Sequence, residues 1–209
     1  MKILRYKLTC ILLLMACMAT GLKAQTDDAQ SGMLRRRAAE KVAQFNDYVA
    51  FIGSKKKPMA TRQAYRTRAL NLFCGRGNAY TEYLDNNTSV EREGVSMQTT
   101  SVNRPGRPTT SLMRDYLTRL SRLNYTDVQI SSTDIANIQV SNLQKVDDNL
   151  YVCTCYFEQA FTGYRDGVPV YKDITRKRIK CYVYQEETVD GTEYIVLLGD
   201  ATATDTYKG

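Results

Sequence analysis

The sequence contains no histidine and no tryptophan among its 209 residues. Without histidine, the chain cannot use a histidine general base, a histidine metal ligand or a histidine pH switch. Ser–His and Cys–His nucleophile pairs are excluded for the same reason, which leaves only histidine-free nucleophile arrangements. Hydrophobic residues make up 43% of the chain and charged residues 24%, so the composition is that of a globular domain rather than a disordered segment.

Residues 1–24 have the order of features found in an export signal. A basic start is followed by an apolar run from Ile11 to Met18, and the segment ends on the small residue Ala24. This order predicts a secretory signal peptide that is cleaved between Ala24 and Gln25. The apolar stretch is shorter than the roughly 20 residues that span a bilayer, which favours a signal peptide over a membrane anchor. The predicted location is the periplasm or cell surface of a Gram-negative bacterium.

A second interpretation of the same segment remains open. Leu14-Met15-Ala16-Cys17 resembles a bacterial lipobox, in which Cys17 would become a lipidated N-terminus and tether the protein to a membrane. In either case the sequence predicts a flexible leader over residues 25–32 and a single α+β domain over residues 33–209.

The formal net charge of +7 is unevenly distributed along the chain. Residues 1–24 carry +4, residues 25–76 carry +7 and residues 77–209 carry −4. Export and the lack of a basic motif interleaved with aromatic residues argue against a nucleic-acid partner. The basic helical front predicts contact with an anionic membrane surface or an acidic partner, with a solvated helix face as the simpler alternative. Its candidate partner-facing residues are Arg62, Arg66 and Arg68.

Three stretches of the front half have the apolar spacing of helices. Ala38, Val42 and Phe45 begin a stripe that recurs every three or four residues. Pro58 suits the first position of a helix, and Thr109 to Ser111 are good capping residues. The predicted helices run from residue 33 to 53, from 58 to 75 and from 109 to 124, and an ambiguous stretch at 79–90 is interpreted as a short helix.

After Tyr125 the apolar period changes to two, which indicates strands. Asp166-Gly167 and Asp190-Gly191 are hairpin signals, and they divide the C-terminal part into three long strands. The run from Tyr194 to Leu198 is apolar on both faces, which predicts a central or doubly covered strand. Gly199-Asp200 is predicted to be a bulge in that strand.

The alternation of the first two long strands places their cysteines. The odd-numbered apolar positions of both strands must share one face of the sheet, and a turn centred on Gly167 puts Cys153 opposite Cys181 if no bulge intervenes. This pair is the disulfide that we predict for an oxidising compartment, with buried free thiols as the alternative. The Cys-Thr-Cys spacing at residues 153–155 is not that of a zinc site, so we expect no metal and no cofactor.

The order helix, helix, strand, helix and then antiparallel strands resembles the cone-shaped α+β superfamily of nuclear transport factor two, ketosteroid isomerase and scytalone dehydratase. The resemblance covers residues 33–206 and rests on element order and on the long final meander, not on a diagnostic motif. It implies three helices packed on a strongly curved antiparallel sheet, with a cavity at the open end of the cone. It also implies a possible homodimer formed through the sheet. Members of this superfamily include enzymes, small-molecule binders and protein-binding modules, so the fold does not select a function.

We therefore expect an exported, non-catalytic binding or interaction module whose ligand or protein partner is unknown, and we assign no catalytic residue. The alternatives are a small-molecule isomerase or dehydratase that uses Tyr and Asp in the cavity, and a lipid-anchored surface component. An Asp and a Tyr that converge in a deep apolar pocket would favour the enzyme, and a filled cone would favour the interaction module. The carboxylates considered for such a cavity are Asp85, Asp115, Asp134 and Asp200.

Overall fold

The computed structural model describes the backbone of residues 2–209 except 86–87, 104–105 and 132–133, and side chains from residue 28 onward outside those gaps and Asp85. The chain divides into two compact units, Met1–Leu34 and Arg35–Gly209. The candidate lipidation residue Cys17 and the cleavage residues Ala24 and Gln25 lie outside the described side chains. Export, cleavage and lipidation therefore stay predictions.

Three α-helices lie in the part of the chain that the structure describes. They are α1 (Lys2–Gly53), α2 (Met59–Leu70) and α3 (Met113–Leu120), with 3₁₀ turns at Cys74–Gly77 and Ile135–Asn137. The predicted leader at residues 25–32 lies within α1, and its flexibility stays a prediction. Over the part of the chain that is described, none of the helices combines the length and apolar character needed to cross a bilayer.

The predicted apolar stripe of α1 is buried in the larger unit. Ala38, Val42 and Ile52 are fully inaccessible to solvent, and the ring of Phe45 makes an edge contact with Phe73, with 4.9 Å between centroids. Burial of each such side chain stabilises the fold by about 1.5–3 kcal/mol. Packing of this stripe, rather than intrinsic helix propensity, stabilises the part of α1 that belongs to the larger unit, residues 35–53.

The third helix begins later than predicted. Thr109–Leu112 forms a strand instead of a helix cap, because its backbone pairs with Ser96–Thr99. The Met113 backbone N–H then donates to the Val95 carbonyl over 2.8 Å, and the helix starts there. Tertiary pairing has overridden the capping preference of Thr and Ser at this point.

Ten strands form the sheets within the described residues. They are β1 (Tyr80–Asp85), β2 (Thr88–Arg92), β3 (Ser96–Thr99), β4 (Thr109–Leu112), β5 (Asp127–Ile130), β6 (Gln139–Val140), β7 (Gln144–Asp147), β8 (Leu150–Arg165), β9 (Val168–Thr188) and β10 (Gly191–Lys208). The main sheet has the order β4-β3-β10-β9-β8-β5, with β6 and β7 also paired to β8, and β1 and β2 form a separate hairpin. All pairings in the main sheet are antiparallel except that of β3 with β10. The predicted α+β class is confirmed.

The register of the β8–β9 hairpin agrees with the prediction around the cysteines, but the turn and the strand pairing that produce it differ from those predicted. Asp166 and Gly167 both have positive φ, 51° and 82°, as a two-residue type I′ turn requires. A bulge at Gly163/Tyr164 then shifts the register by one residue. A turn centred on Gly167 without a bulge predicts the same pairing, because the shifted turn centre and the bulge change the register by one residue in opposite directions. Cys153 therefore lies opposite Cys181.

Strand β10 is central, as predicted, because it lies between β3 and β9. It is not covered on both faces, since Ile195 is 38% exposed while Val196 and Leu198 are buried. The predicted bulge at Gly199-Asp200 is confirmed by a register shift between Leu198 and Ala201.

Candidate functional site

One face of β8 and β9 contacts the core along its whole length but changes character from end to end. We call this the inner face, and it consists of the odd-numbered positions 153–161 of β8 and 171–181 of β9. Around Cys155, Ile179 and Cys181 it is apolar and fully buried. Toward the hairpin it becomes polar and aromatic, and this second half borders a cavity. Its residues are Gln159, Phe161, Tyr171, Asp173, Thr175 and Lys177.

The cavity has a volume of about 310 Å³. Its walls come from β3, α3, the segment that follows α3, and the three long strands. Leu120 and Leu123 supply an apolar side, and Tyr116 and Arg119 come from the same helix. The space lies in the lower part of the range of volumes, roughly 300–1,000 Å³, that small-molecule sites occupy.

Three aromatic rings form one wall of the cavity. The centroid of Phe161 lies 5.9 Å from those of both Tyr125 and Tyr171, and the two tyrosine rings are 6.4 Å apart. Gly163 makes this possible, because a Cβ there would lie 2.6 Å from the Tyr125 ring. Such an arrangement presents both ring faces and ring edges to a planar ligand.

A carboxyl and a phenol meet at the polar end of the cavity. Asp173 is only 7% exposed, and the Tyr171 hydroxyl donates to its Oδ2 over 2.5 Å. Burial raises the pKa of Asp173, although hydrogen bonds from Tyr171 and Thr175 and the charge of Lys177 oppose this. Burial and the bond to Asp173 together raise the pKa of Tyr171 to about 12. The carboxyl is thus closer to the neutral form than a solvated aspartate is.

Lys177 lies two residues after Thr175 on β9 and therefore on the same face of the sheet. Its Nζ donates to Oε1 of Gln159 on β8, and Nε2 of Gln159 donates to Oδ1 of Asn46 on α1 over 2.9 Å. Burial lowers the pKa of Lys177 to about 8, and the negative charge of Asp173 only partly offsets this. Its amine is therefore much closer to the neutral form at physiological pH than that of a solvated lysine.

Further hydroxyl groups complete the polar side. Thr206 of β10 is hydrogen-bonded to Thr100 and, over 3.0 Å, to Thr175. Burial raises the pKa of Tyr116 to about 12, with the Asp173 charge as the next cause, so this phenol stays protonated at neutral pH. The cavity thus offers neutral donors and acceptors that can orient a ligand.

Three of the four carboxylates considered from the sequence do not line this cavity. Asp200 accepts from Arg92 and from the backbone N–H of Ser96, each over 2.7 Å. Asp134 accepts from the Ala136 N–H in a 3₁₀ turn, Asp115 is exposed, and the side chain of Asp85 lies outside the described residues. The sequence reasoning missed Asp173, although its odd number puts it on the apolar face of β9. An acid at an inward-facing strand position was the available signal.

The predicted partner-facing arginines have three different environments. Arg62 is only 7% exposed, and its Nη1 donates to the Ser121 carbonyl over 2.8 Å. It links α2 to the end of α3, so its assignment to a partner-facing surface is wrong. Arg66 donates to Thr118 over 3.2 Å, and Arg68 is exposed, with its guanidinium 5.2 Å from the Tyr65 centroid.

Three of the four cysteines beyond residue 27 lie in the apolar half of the inner face, and Cys74 lies in the 3₁₀ turn after α2. Cys74, Cys153, Cys155 and Cys181 are all buried free thiols, and the Sγ atoms of Cys155 and Cys181 lie 3.6 Å apart. The Cys153–Cys181 disulfide stays a prediction that the cross-strand register permits. Within the described part of the chain, no group of three or more Cys, Asp or Glu is placed to hold a metal ion.

A larger cavity of about 820 Å³ lies at the end of α1, and two of its charged side chains, Lys56 and Asp127, are paired with each other. Lys56 and Asp127 are 2.7 Å apart, and Ser54 donates to the same carboxylate over 2.8 Å. This pair lowers the pKa of Asp127 despite the opposing effect of burial. The 310 Å³ cavity beside α3 is the better candidate for a ligand site, because the buried polar side chains Gln159, Asp173 and Thr175 border it.

No protein-family model and no curated protein matches the chain. Among solved structures, the crystal structure of the Kfla4162 protein from Kribbella flavida aligns with 84% of this chain and 95% of its own, at 12% identity and a TM-score of 0.35. A TM-score this low does not establish a common fold.

Proposed function

We propose that the protein is an exported, non-catalytic binding module that holds a small planar molecule in the cavity beside α3. The observation that carries this proposal is the pairing of an aromatic wall with buried polar groups across one space of about 310 Å³. Ligand sites in proteins commonly combine a mostly apolar lining with a few polar groups that fix orientation.

Each side of the cavity has a distinct part in the proposed binding. Stacked and edge-on contacts with Tyr125, Phe161 and Tyr171 supply most of the affinity, since such aromatic pairs contribute about 0.5–1.5 kcal/mol beyond area burial. The Asp173 and Lys177 side chains select for a ligand with a polar group at one end. A ligand without that group shields these side chains from water without offering them a further hydrogen bond, which costs affinity.

The test uses 2-naphthol, a planar two-ring phenol, as a fluorescent probe in equilibrium titrations. We expect saturable binding to residues 25–209 and a loss of at least tenfold in affinity for Thr99→Trp, because this substitution fills the cavity from β3. Thr192→Trp adds the same bulk at an exposed site of β10 and serves as the matched control. Equal binding by the two variants would contradict the proposal.

A second candidate function is proton transfer by an isomerase- or dehydratase-like enzyme. The hydrogen bond between Tyr171 and Asp173 supports it, because a buried carboxyl with a raised pKa is suited to general acid–base chemistry. The test substrate is a steroid-like β,γ-unsaturated ketone, assayed by absorbance of the conjugated product. Turnover that Asp173→Asn abolishes while 2-naphthol still binds would establish the enzyme and overturn the non-catalytic proposal.

Export is tested separately, by mass spectrometry of the mature N-terminus from the producing organism. We expect Gln25 as the first residue. A lipidated Cys17 would instead establish the alternative of a lipid-anchored surface component.

A further inference from the structure

We infer that Lys177 is a covalent attachment point for carbonyl compounds: the cavity accepts an aldehyde or ketone, and the Lys177 amine condenses with it to form an imine. The inference rests on the proposed function, because it uses the same cavity, and it goes further by naming the chemical class of the ligand and the atom that binds it.

The position of Lys177 is the first support. The residue lies on the inner face of β9, half-buried, and borders the cavity together with the aromatic wall. The hydrogen bond to Gln159, which is itself held by Asn46 over 2.9 Å, fixes where the amine lies. A ligand ring against Phe161 and Tyr171 would therefore carry its substituents toward a lysine of defined position.

The second support is the contrast between Lys177 and the paired lysines of the described residues. Lys56, Lys145 and Lys180 each have a carboxylate oxygen within 2.7–3.2 Å of the amine nitrogen. Lys177 has an amide oxygen as its hydrogen-bond acceptor instead. A neutral amide does not stabilise an ammonium as a carboxylate does.

The electrostatic surroundings agree with this contrast. Burial lowers the pKa of Lys177 to about 8, so a nucleophilic neutral amine is available at mildly alkaline pH. The charged groups that border the cavity besides Lys177 are Asp173 on the same strand and Arg119 on α3, and its phenols are Tyr116, Tyr125 and Tyr171. The hydrogen-bond partner of Lys177 on β8 is Gln159, which donates in turn to Asn46 of α1, and both of these side chains are uncharged.

The condensation balances without an oxidant or reductant. The nitrogen lone pair of Lys177 attacks the carbonyl carbon, the C=O π pair moves to oxygen, and a proton passes from nitrogen to that oxygen to give a carbinolamine. The hydroxyl then takes a further proton and leaves as water while the C=N bond forms and nitrogen loses its remaining proton. Asp173 borders the same cavity, and its carboxyl can accept the proton that nitrogen loses and return it to the departing hydroxyl.

The experiment uses 2-naphthaldehyde at limiting concentration with cyanoborohydride, which reduces the imine to a stable amine. Residues 25–209 are treated at pH 8, and intact-mass measurement is followed by peptide mapping. We expect one principal adduct, heavier than the protein by the probe less one oxygen atom, located at Lys177. Adducts spread evenly over exposed lysines would overturn the inference.

Three variants separate the attachment site from general lysine reactivity. Lys177→Arg should reduce labelling at least tenfold, whereas Lys172→Arg, at an exposed position of the same strand, should leave it unchanged. Gln159→Glu keeps the amine but places a carboxylate beside it, and we expect labelling at pH 8 to slow several-fold. Undiminished labelling of Lys177→Arg or of Gln159→Glu would contradict the inference.

The 2-naphthol titration distinguishes the failure of this inference from failure of the proposed function. Binding of 2-naphthol without trapping of 2-naphthaldehyde would overturn only the role of Lys177. Failure of both probes to bind would overturn the carbonyl inference and the binding function together.

Discussion

The two halves of the inner face belong to the same pair of strands, yet they have opposite characters. Around Ile179 and Cys181 every inward side chain is apolar and fully buried, so this half contributes packing. Around Asp173 and Lys177 the inward positions are polar, and they border open space. The alternation of side chains along each strand determines which residues face inward. The helices and loops that pack on that face determine whether an inward residue is part of the core or borders the cavity.

The largest difference between the halves should appear when apolar side chains are truncated. Ile179→Ala should lower the free energy of unfolding by about 2–5 kcal/mol, because it leaves a cavity in packed surroundings. Phe161→Ala removes a larger side chain but should cost less, since Phe161 is half-buried beside an existing space. Denaturant unfolding of both variants tests this, and an equal or larger loss for Phe161→Ala would erase the distinction.

The predicted disulfide offers a second test of the apolar half. If Cys153 and Cys181 are bonded in protein made in an oxidising compartment, Cys153→Ala should be about 3 kcal/mol less stable than Cys155→Ala. Both substitutions leave a similar space, so Cys155→Ala controls for packing. The gap should vanish in dithiothreitol. A gap that persists under reduction, or the absence of a linked 153–181 peptide by mass spectrometry, would contradict the disulfide.

In the polar half, Lys177 should give stability a pH dependence. Its folded-state pKa, about 8, lies below the unfolded value near 10.5, so the unfolded chain binds more protons between these limits and stability rises with pH there. Wild type should gain about 1–3 kcal/mol relative to Lys177→Met from pH 7 to 10.5. A constant effect of losing the Gln159 contact cancels in this comparison, and a flat difference across that range would count against a buried amine.

Asp173 should give the smallest effect, with the opposite sign. Burial raises its pKa above the ordinary value of 3.8, so the folded chain retains its proton to higher pH than the unfolded chain. The stability of wild type relative to Asp173→Asn should therefore be greatest below pH 3.8 and should fall as the pH rises through the folded-state pKa. Urea unfolding from pH 3 to 7 measures this, and a relative gain in wild-type stability with rising pH would contradict the account.

Local pattern accounts for much of the fold. The Asp166-Gly167 turn signal and the period of two on either side predict the β8–β9 hairpin, whereas Cys153 lies opposite Cys181 only because the shifted turn centre and the bulge offset each other. The apolar stripe of α1 can also be predicted from the sequence, because the spacing of its residues is a property of a single helix. The bulge at Gly163/Tyr164 has no signal in the alternation of apolar residues, and the contact of Gly163 with the Tyr125 ring joins residues that are far apart in sequence.

The missed elements depend on partners that a local window does not contain. The β1–β2 hairpin was interpreted as a short helix, yet Glu82 of β1 is buried because Lys180 and Tyr182 of β9 both donate to it. Likewise, Thr109–Leu112 is extended because it pairs with β3. The α+β class followed from element order, whereas the cavity beside α3 depends on how separate elements meet.

The most direct test of the central claim, that the polar half of the inner face is a ligand site, is native mass spectrometry of the protein purified from the organism that makes it. We predict a bound small molecule on wild type and on Thr192→Trp, and its loss from Thr99→Trp. A ligand retained equally by all three proteins, or a wild-type protein that neither carries a ligand nor binds 2-naphthol, would contradict the claim.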